Sequence, residues 1–186
     1  MPQMHKFKYL LLILDDLLIK ETVETSKIAV CLDFLQSSQS SYLRLAPVPP
    51  PDKILPEFPW LGSISPGAPY RASLQASIWK KESLQALLQP GESPWDFEIL
   101  ASRRSDADSG YFCTVKRTLR YLNSVVRKQW TLEALELFKQ ENLSISTSKR
   151  GVLKSKNRQG RMFTPWRRLP LTWRMKFQSI IRGLKK

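Results

Sequence analysis

The stretch 7-FKYLLLILDD-16 places six apolar residues, Tyr9 to Leu14, directly before two aspartates. A short continuous apolar run is typical of a β-strand covered on both faces, as in a parallel α/β sheet. Adjacent carboxylates repel each other and resist burial, so we expect Asp15 and Asp16 where the strand reaches the surface. They fit the cap of a following helix or the ligands of a divalent cation, since Asp is a preferred N-cap and hard cations bind carboxylates.

The rest of the body alternates between strand and helix patterns, and this alternation predicts an α/β fold. Ser26 is the expected N-cap of an amphipathic helix in 26–38, and Ser93 and Pro94 are the expected start of another. Six prolines in 47–60 predict an extended loop. The other segments are a strand in 42–46, a strand ending at Trp79, a helix in 80–88, strands in 110–115 and 118–126, and a helix capped by Thr131.

The net charge of +14 belongs to the C-terminal end of the chain. From Lys149 to Lys186 there are 13 Lys or Arg residues and no acid, which leaves 17 bases against all 16 acids in the preceding residues. The body is therefore nearly neutral. We divide the chain into a domain over residues 1–148 and a basic tail over 149–186, either helical or disordered.

The remaining composition excludes several classes of protein. Cys31 and Cys113 lie in apolar segments without a CxxC pattern, so we expect buried free thiols and a reducing, cytoplasmic compartment. The N-terminal apolar run is too short to span a bilayer and lacks a signal-peptide cleavage pattern. The absence of GxGxxG, GxxxxGK[ST] and GxSxG motifs, with His5 as the only histidine, disfavours dinucleotide enzymes, P-loop enzymes and histidine-based hydrolases.

The segment 93-SPWDFEILASRR-104 combines groups that suit a sugar-phosphate ligand. Asp96 and Glu98 lie in the first turns of the expected helix, where acids also occur simply because they favour the helix dipole. Trp95, directly before Asp96, offers a stacking surface for a sugar. Arg103 and Arg104 offer cations for phosphate, and one carboxylate could act as a general base.

Taken together, these segments resemble the GT-A-like glycosyltransferases of a bacterial family linked to surface polysaccharides. The strand end LLILDDLL resembles their DxD-type metal motif, and YRASLQASIWKKESLQALL followed by GESPWDFE resembles their later segments. The resemblance implies that Asp15 and Asp16 bind Mn²⁺ or Mg²⁺ and that Trp95 contacts the acceptor sugar. It implies Glu98, or less strongly Asp96, as the catalytic base. The further substrate-binding residues that it implies are Gln75, Trp79, Arg103 and Arg104.

The resemblance covers roughly residues 9–145, and GT-A domains place a nucleotide-binding half before their metal motif. We therefore expect an incomplete GT-A-like mixed sheet with flanking helices, from a truncated or inactive member or one completed by another polypeptide. The implied function is transfer of a sugar from a nucleotide sugar to a glycan or lipid-linked acceptor. The alternative is a non-enzymatic protein that binds a membrane or a nucleic acid through its tail.

The tail favours a membrane over a nucleic acid as its partner. In Thr172 to Lys186, the apolar side chains of Trp173, Phe177, Ile181 and Leu184 recur at helical spacing among basic residues. No nucleic-acid fold signature accompanies them. A peripheral position at the inner face of the membrane would suit a lipid-linked acceptor.

We predict that Thr172 to Lys186 binds anionic vesicles in a salt-sensitive manner, because its cations attract anionic lipid and its apolar side chains insert. Trp173 fluorescence should shift to the blue with anionic vesicles and stay unchanged with neutral ones. Equal or tighter binding to RNA at physiological salt would contradict the membrane assignment.

Overall fold

A computed structural model describes residues 7–153 of the chain. The chain divides into two compact units, Met1–Leu122 and Asn123–Lys186, which are described separately below. The predicted tail from Lys154 onward lies outside the described residues. Among the described residues, no helix is both long and apolar enough to cross a bilayer.

The first unit is built on a six-stranded mixed sheet flanked by helices, which confirms the predicted α/β class. The strand order is β1-β6-β3-β7-β5-β4, and all neighbours are antiparallel except the parallel pair of β3 and β7. These strands are β1 (Tyr9–Leu12), β3 (Tyr42–Arg44), β4 (Lys53–Leu55), β5 (Phe58–Ser63), β6 (Ser77–Lys80) and β7 (Tyr111–Thr114). A separate short ladder joins β2 (Leu17–Ile19) and β8 (Tyr121–Asn123).

The strand β1 differs from its prediction in length and position. It ends at Leu12 rather than Leu14, lies at the edge of the described sheet and pairs antiparallel with β6. Its side chains are half-buried or exposed, with Leu11 45% exposed. The apolar run correctly indicated a strand but not its neighbours, because strand pairing depends on β6, more than sixty residues further along.

The proline-rich segment contains strands, contrary to the predicted loop. Strands β4 and β5 pair as a hairpin with a register shift between Ile54 and Leu55. The proline inside these strands is Pro59 of β5, and β5 pairs with its neighbours at Phe58 and from Leu61 to Ser63, so the missing N–H of Pro59 removes no paired position of the ladder. Gly62 is required inside β5, since an added Cβ would lie 2.6 Å from the Pro51 side chain.

The two faces of the sheet are covered by different helices. Helix α1 (Thr25–Ser37) buries Cys31 and Leu35 in a cluster on one face. Helices α2 (Lys81–Leu87) and α3 (Pro94–Arg104) bury Leu84 and Phe97 in a second cluster that contains Tyr42 and Trp79 of the sheet. Both cysteines are buried and free, as predicted.

Two of the three predicted helix caps are confirmed. Ser93 accepts a hydrogen bond from the Asp96 amide and forms a reciprocal capping box with its side chain, and Pro94 follows at the first helical position. Helix α1, by contrast, begins at Thr25 after Glu24, so the prediction of Ser26 as its cap was wrong. The third cap, Thr131, is confirmed for the helix that begins at Leu132.

The second unit, as far as Leu153, contains a hairpin and one helix. Strands β9 (Val125–Val126) and β10 (Gln129–Trp130) are joined by Arg127 and Lys128, both with positive φ. Helix α4 (Leu132–Gln140) is capped by the Thr131 side chain, which accepts from the Ala134 amide. The rings of Trp130 and Phe138 pack edge to face with centroids 5.7 Å apart.

We predict that Gly110→Ala lowers the free energy of unfolding by about 1–3 kcal/mol, the usual cost of overpacking. A Cβ at this position would lie 2.8 Å from the Ser41 amide nitrogen and 2.9 Å from the Ser40 Cα, both backbone atoms. The exposed neighbour gives the control Ser109→Ala, which should change stability by less than about 0.5 kcal/mol. Equal urea denaturation midpoints for both variants would contradict the close approach.

Candidate functional site

The two N-terminal aspartates occupy a tight turn between β1 and β2. The Leu17 amide donates to the Leu14 carbonyl at 3.0 Å, so Asp15 and Asp16 are the central residues of a β-turn and cap no helix. The Asp16 Oδ1 atom is buried without a hydrogen-bond partner. Burial raises the pKa of Asp16, a hydrogen bond to its own backbone opposes this shift, and the neighbouring charge of Asp15 adds to it.

An orphaned carboxylate oxygen beside a second carboxylate fits part of the oxygen shell of Mn²⁺ or Mg²⁺. Within residues 7–153, no group of three or more Asp, Glu, His or Cys side chains could hold a metal ion. Phosphate oxygens and water, which Mg²⁺ commonly retains, would be suitable further ligands. Asp15 and Asp16 would be the protein's share of such a site.

Strand register brings several polar residues to one end of the sheet. Leu12 pairs with Ser77, Ser77 with Arg44, and Arg44 with Cys113, so these residues form one row across β1, β6, β3 and β7. The turn with Asp15 follows this row at the end of β1. The segment 71–76 leads into the same row at the start of β6, and this segment contacts Glu98.

Glu98 is a half-buried carboxylate that the segment before β6 holds in place. Its Oε1 atom accepts hydrogen bonds from the Ser73 hydroxyl and from the Leu74 amide, both at 2.8 Å. Burial raises the pKa of Glu98, and the two hydrogen bonds and the charge of Arg44 oppose this shift. A fixed carboxylate with a raised pKa, in the second turn of a capped helix, can accept a proton.

Arg44 is a buried cation close to Glu98 that the sequence did not identify. It has no exposed surface, and its Nη1 donates to the Tyr70 carbonyl at 2.9 Å. Its Nε and Nη2 atoms are buried and form no hydrogen bond of good geometry, although the Cys113 thiol interacts with the guanidinium. Arg44 stands in the pattern YLRLA, where an arginine between leucines normally indicates the solvated face of a strand, so no local signal marked it as buried.

The predicted binding residue Gln75 belongs to the same group of polar contacts. Its side-chain Oε1 accepts from the Tyr121 hydroxyl at 2.6 Å, and its backbone amide donates to the Ser73 hydroxyl at 3.2 Å. Tyr121 was missed because the strand pattern of 118–126 gave its ring no role beyond packing.

The other predicted site residues have different surroundings. Asp96 accepts hydrogen bonds from Ser93 in the capping box. This contact agrees with the alternative interpretation, in which an acid at a helix start stabilises the helix. Trp79 is fully buried between aromatic rings, so it offers no surface to a ligand in this conformation. Trp95 is 73% exposed.

The two predicted phosphate-binding arginines lie at the end of α3. Arg104 forms a two-pronged ion pair with Glu92, both nitrogen–oxygen distances being 2.7 Å, and also donates to the Leu87 carbonyl. These contacts tie α3 to the segment after α2. Arg103 is exposed in the last turn of α3.

The structure leaves the metal residues and the candidate base unconnected. Within residues 7–153, no hydrogen bond or ion pair joins Asp15 or Asp16 to Glu98. The residues before the turn, Ile13 and Leu14, pack with the cluster on the α1 face, whereas Glu98 belongs to α3 on the other face. What they share is the same end of the sheet.

Comparisons with protein families, curated proteins and solved structures gave no match to this chain.

We predict that Glu98→Gln is at least as stable as the wild type at pH 7. The fold raises the pKa of Glu98, so ionisation lowers the stability of the wild type as pH rises from the ordinary glutamate value through the folded value. The glutamine amide oxygen can still accept from Ser73 and Leu74. The stability difference between the two proteins should therefore shrink as pH falls through this interval.

The control Glu98→Ala removes the acceptor itself and should cost about 1–3 kcal/mol, because the Leu74 amide loses its partner. Urea denaturation between about pH 4 and pH 8 measures all three proteins. A Glu98→Gln variant less stable at pH 7, and equal to the wild type at low pH, would mean that the anion stabilises the fold.

Proposed function

We propose that this chain takes part in metal-dependent transfer of a sugar from a nucleotide sugar to a glycan or lipid-linked acceptor, as a GT-A-like domain. The mixed α/β sheet is compatible with such a domain. The single observation that carries the proposal is Glu98, a half-buried carboxylate of raised pKa that two hydrogen bonds hold at one end of the sheet.

Glu98 would deprotonate the acceptor hydroxyl if the reaction inverts the configuration at the sugar. Its raised pKa brings the carboxylate closer to the operating pH, which improves proton transfer to a general base. The Leu74 amide and the Ser73 hydroxyl fix Oε1, so the side chain has little freedom to turn away. A retaining reaction would not require this base.

Trp95 supports binding of the acceptor. It is the most exposed of the large hydrophobic side chains described, and it lies on the helical turn before Glu98. Contact between an exposed indole and water is unfavourable, and the apolar face of a sugar ring would cover the indole.

Asp15 and Asp16 would hold Mn²⁺ or Mg²⁺, which when bound would neutralise charge on the departing diphosphate. The buried orphan oxygen of Asp16 supports this assignment, because a cation would satisfy an acceptor that the protein leaves unpaired. The tight turn keeps both carboxylates together at the sheet end where β6 begins.

We predict that Asp16→Asn weakens Mn²⁺-dependent binding of UDP- and GDP-sugars at least about tenfold, because it removes a charged metal ligand. Calorimetry with and without Mn²⁺ measures this effect. The control Asp33→Asn removes the same charge from an exposed position on α1 and should leave binding unchanged. Donor binding that does not depend on metal, or an equal loss in both variants, would contradict the proposal.

Glu98→Gln should leave donor binding intact and lower transfer by about 10²–10⁴-fold, the usual contribution of a general base. Release of nucleoside diphosphate in the presence of an acceptor measures transfer. Full transfer by Glu98→Gln would remove Glu98 from the chemistry and leave it a structural anchor.

A further inference from the structure

Arg117 is an exposed cation that a buried aromatic ring holds in position. It follows β7, and the next residue, Thr118, donates its amide to the Leu45 carbonyl at 2.9 Å, so this segment lies beyond the C-terminal end of β3. The Arg117 Cζ atom is 5.3 Å from the centroid of the Tyr121 ring, which is only 7% exposed. Stacking on a fixed ring orients a guanidinium whose N–H groups point outward in its plane.

Hydrogen bonds connect Tyr121, whose ring Arg117 contacts, to the segment that holds the candidate base. The Tyr121 hydroxyl donates to the Gln75 side-chain Oε1, the Gln75 backbone amide donates to the Ser73 hydroxyl, and that hydroxyl donates to Glu98. The contacts are 2.6, 3.2 and 2.8 Å long. Arg117 is therefore linked to Glu98 through Tyr121, Gln75 and Ser73, and at Gln75 the link passes from the side chain to the backbone.

A second positive charge lies within the domain. Arg44 is fully buried, where its guanidinium donates to the Tyr70 carbonyl and interacts with the Cys113 thiol. Burial raises the pKa of Tyr121, and the charges of both Arg117 and Arg44 act in the opposite direction. An anion bound at Arg117 would be attracted by this exposed cation and, more weakly, by the buried charge of Arg44.

We propose that Arg117, Tyr121 and Gln75 form a binding subsite for the oxygens of a diphosphate, with Arg44 adding positive charge from within the domain. The guanidinium of Arg117 matches phosphate oxygens through paired N–H groups, and the Gln75 Nε2, whose partner atom Oε1 is held by the Tyr121 hydroxyl, supplies further N–H donors beside it. Assigning this diphosphate to a nucleotide-sugar donor rests on the proposed function, whereas binding of the oxyanion itself does not.

Inorganic pyrophosphate, titrated into the full chain at low ionic strength, tests the subsite by amide NMR. The signals of Gln75 and Tyr121 report it locally, so binding to the basic tail does not interfere. Both signals should shift and saturate in the wild type. Arg117→Gln should weaken this binding at least about tenfold, the effect of losing a good paired contact.

Arg120→Gln is the matched control, since it removes the same charge three residues away, where the side chain pairs with Glu21 at 3.2 Å. It should change the affinity for pyrophosphate by no more than about twofold, because it alters only the long-range electrostatic field. Tyr121→Phe should weaken binding because Gln75 loses the hydroxyl that orients its side chain, while the ring still supports Arg117. Equal losses in the two arginine variants, or no saturable shift at Gln75, would overturn the proposal.

Citrate separates phosphate recognition from attraction of any anion. It should leave the Gln75 and Tyr121 signals unsaturated at concentrations where pyrophosphate saturates them, and equal binding would overturn the diphosphate assignment. Different results would contradict the proposed transfer reaction, namely metal-independent donor binding or full activity of Glu98→Gln. Pyrophosphate binding that requires Arg117 would survive that failure.

Discussion

The buried guanidinium of Arg71 fixes the segment on which the candidate site depends. Its Nε donates to the Ile64 carbonyl at 3.2 Å, and its Nη1 and Nη2 reach the carbonyls of Ser105 and Asp108. The Cζ atom also lies 4.0 Å from the centroid of the Tyr111 ring. A buried cation is tolerated only when its donors are satisfied, so this one arginine locks three backbone segments together.

The residues that follow Arg71 connect this anchored segment to Glu98. The Ala72 amide donates to the Ser102 hydroxyl of α3, and Ser73 and Leu74 then hold Glu98 one helical turn earlier. Arg44 binds the Tyr70 carbonyl on the other side of Arg71. The segment between β5 and β6 has no regular secondary structure, yet side chains from the sheet and from α3 define its course.

The local signals in the sequence predicted the helices better than the sheet. Ser93 and Thr131 were identified as caps because capping involves residues three positions apart. Strand neighbours are determined over long distances, so the pairing of Tyr9 with Lys80 had no counterpart in any short window. The edge position of β1 and the hairpin within the proline-rich segment therefore required the three-dimensional fold.

The candidate site also combines residues that short segments of the sequence marked with residues whose surroundings depend on strand pairing. Glu98 and Gln75 were identified from their segments, and the structure links both through Ser73. Arg44 and Tyr121 were missed because their burial beside Glu98 and Gln75 depends on register between strands distant in the chain. Trp79 shows the converse error, since an aromatic residue ending a strand pattern was assigned to a ligand although it completes the core.

The central claim is that the fold holds Glu98 as a carboxylate that is ready to accept a proton. The direct measurement is a pH titration of its side-chain carboxyl carbon by ¹³C NMR, with the signal assigned by its loss in Glu98→Gln. The midpoint should lie above the ordinary glutamate value of about 4.3, because burial outweighs the two hydrogen bonds and the charge of Arg44. A midpoint at or below that value would mean that Glu98 is a stabilised anion, and the account of the site would be wrong.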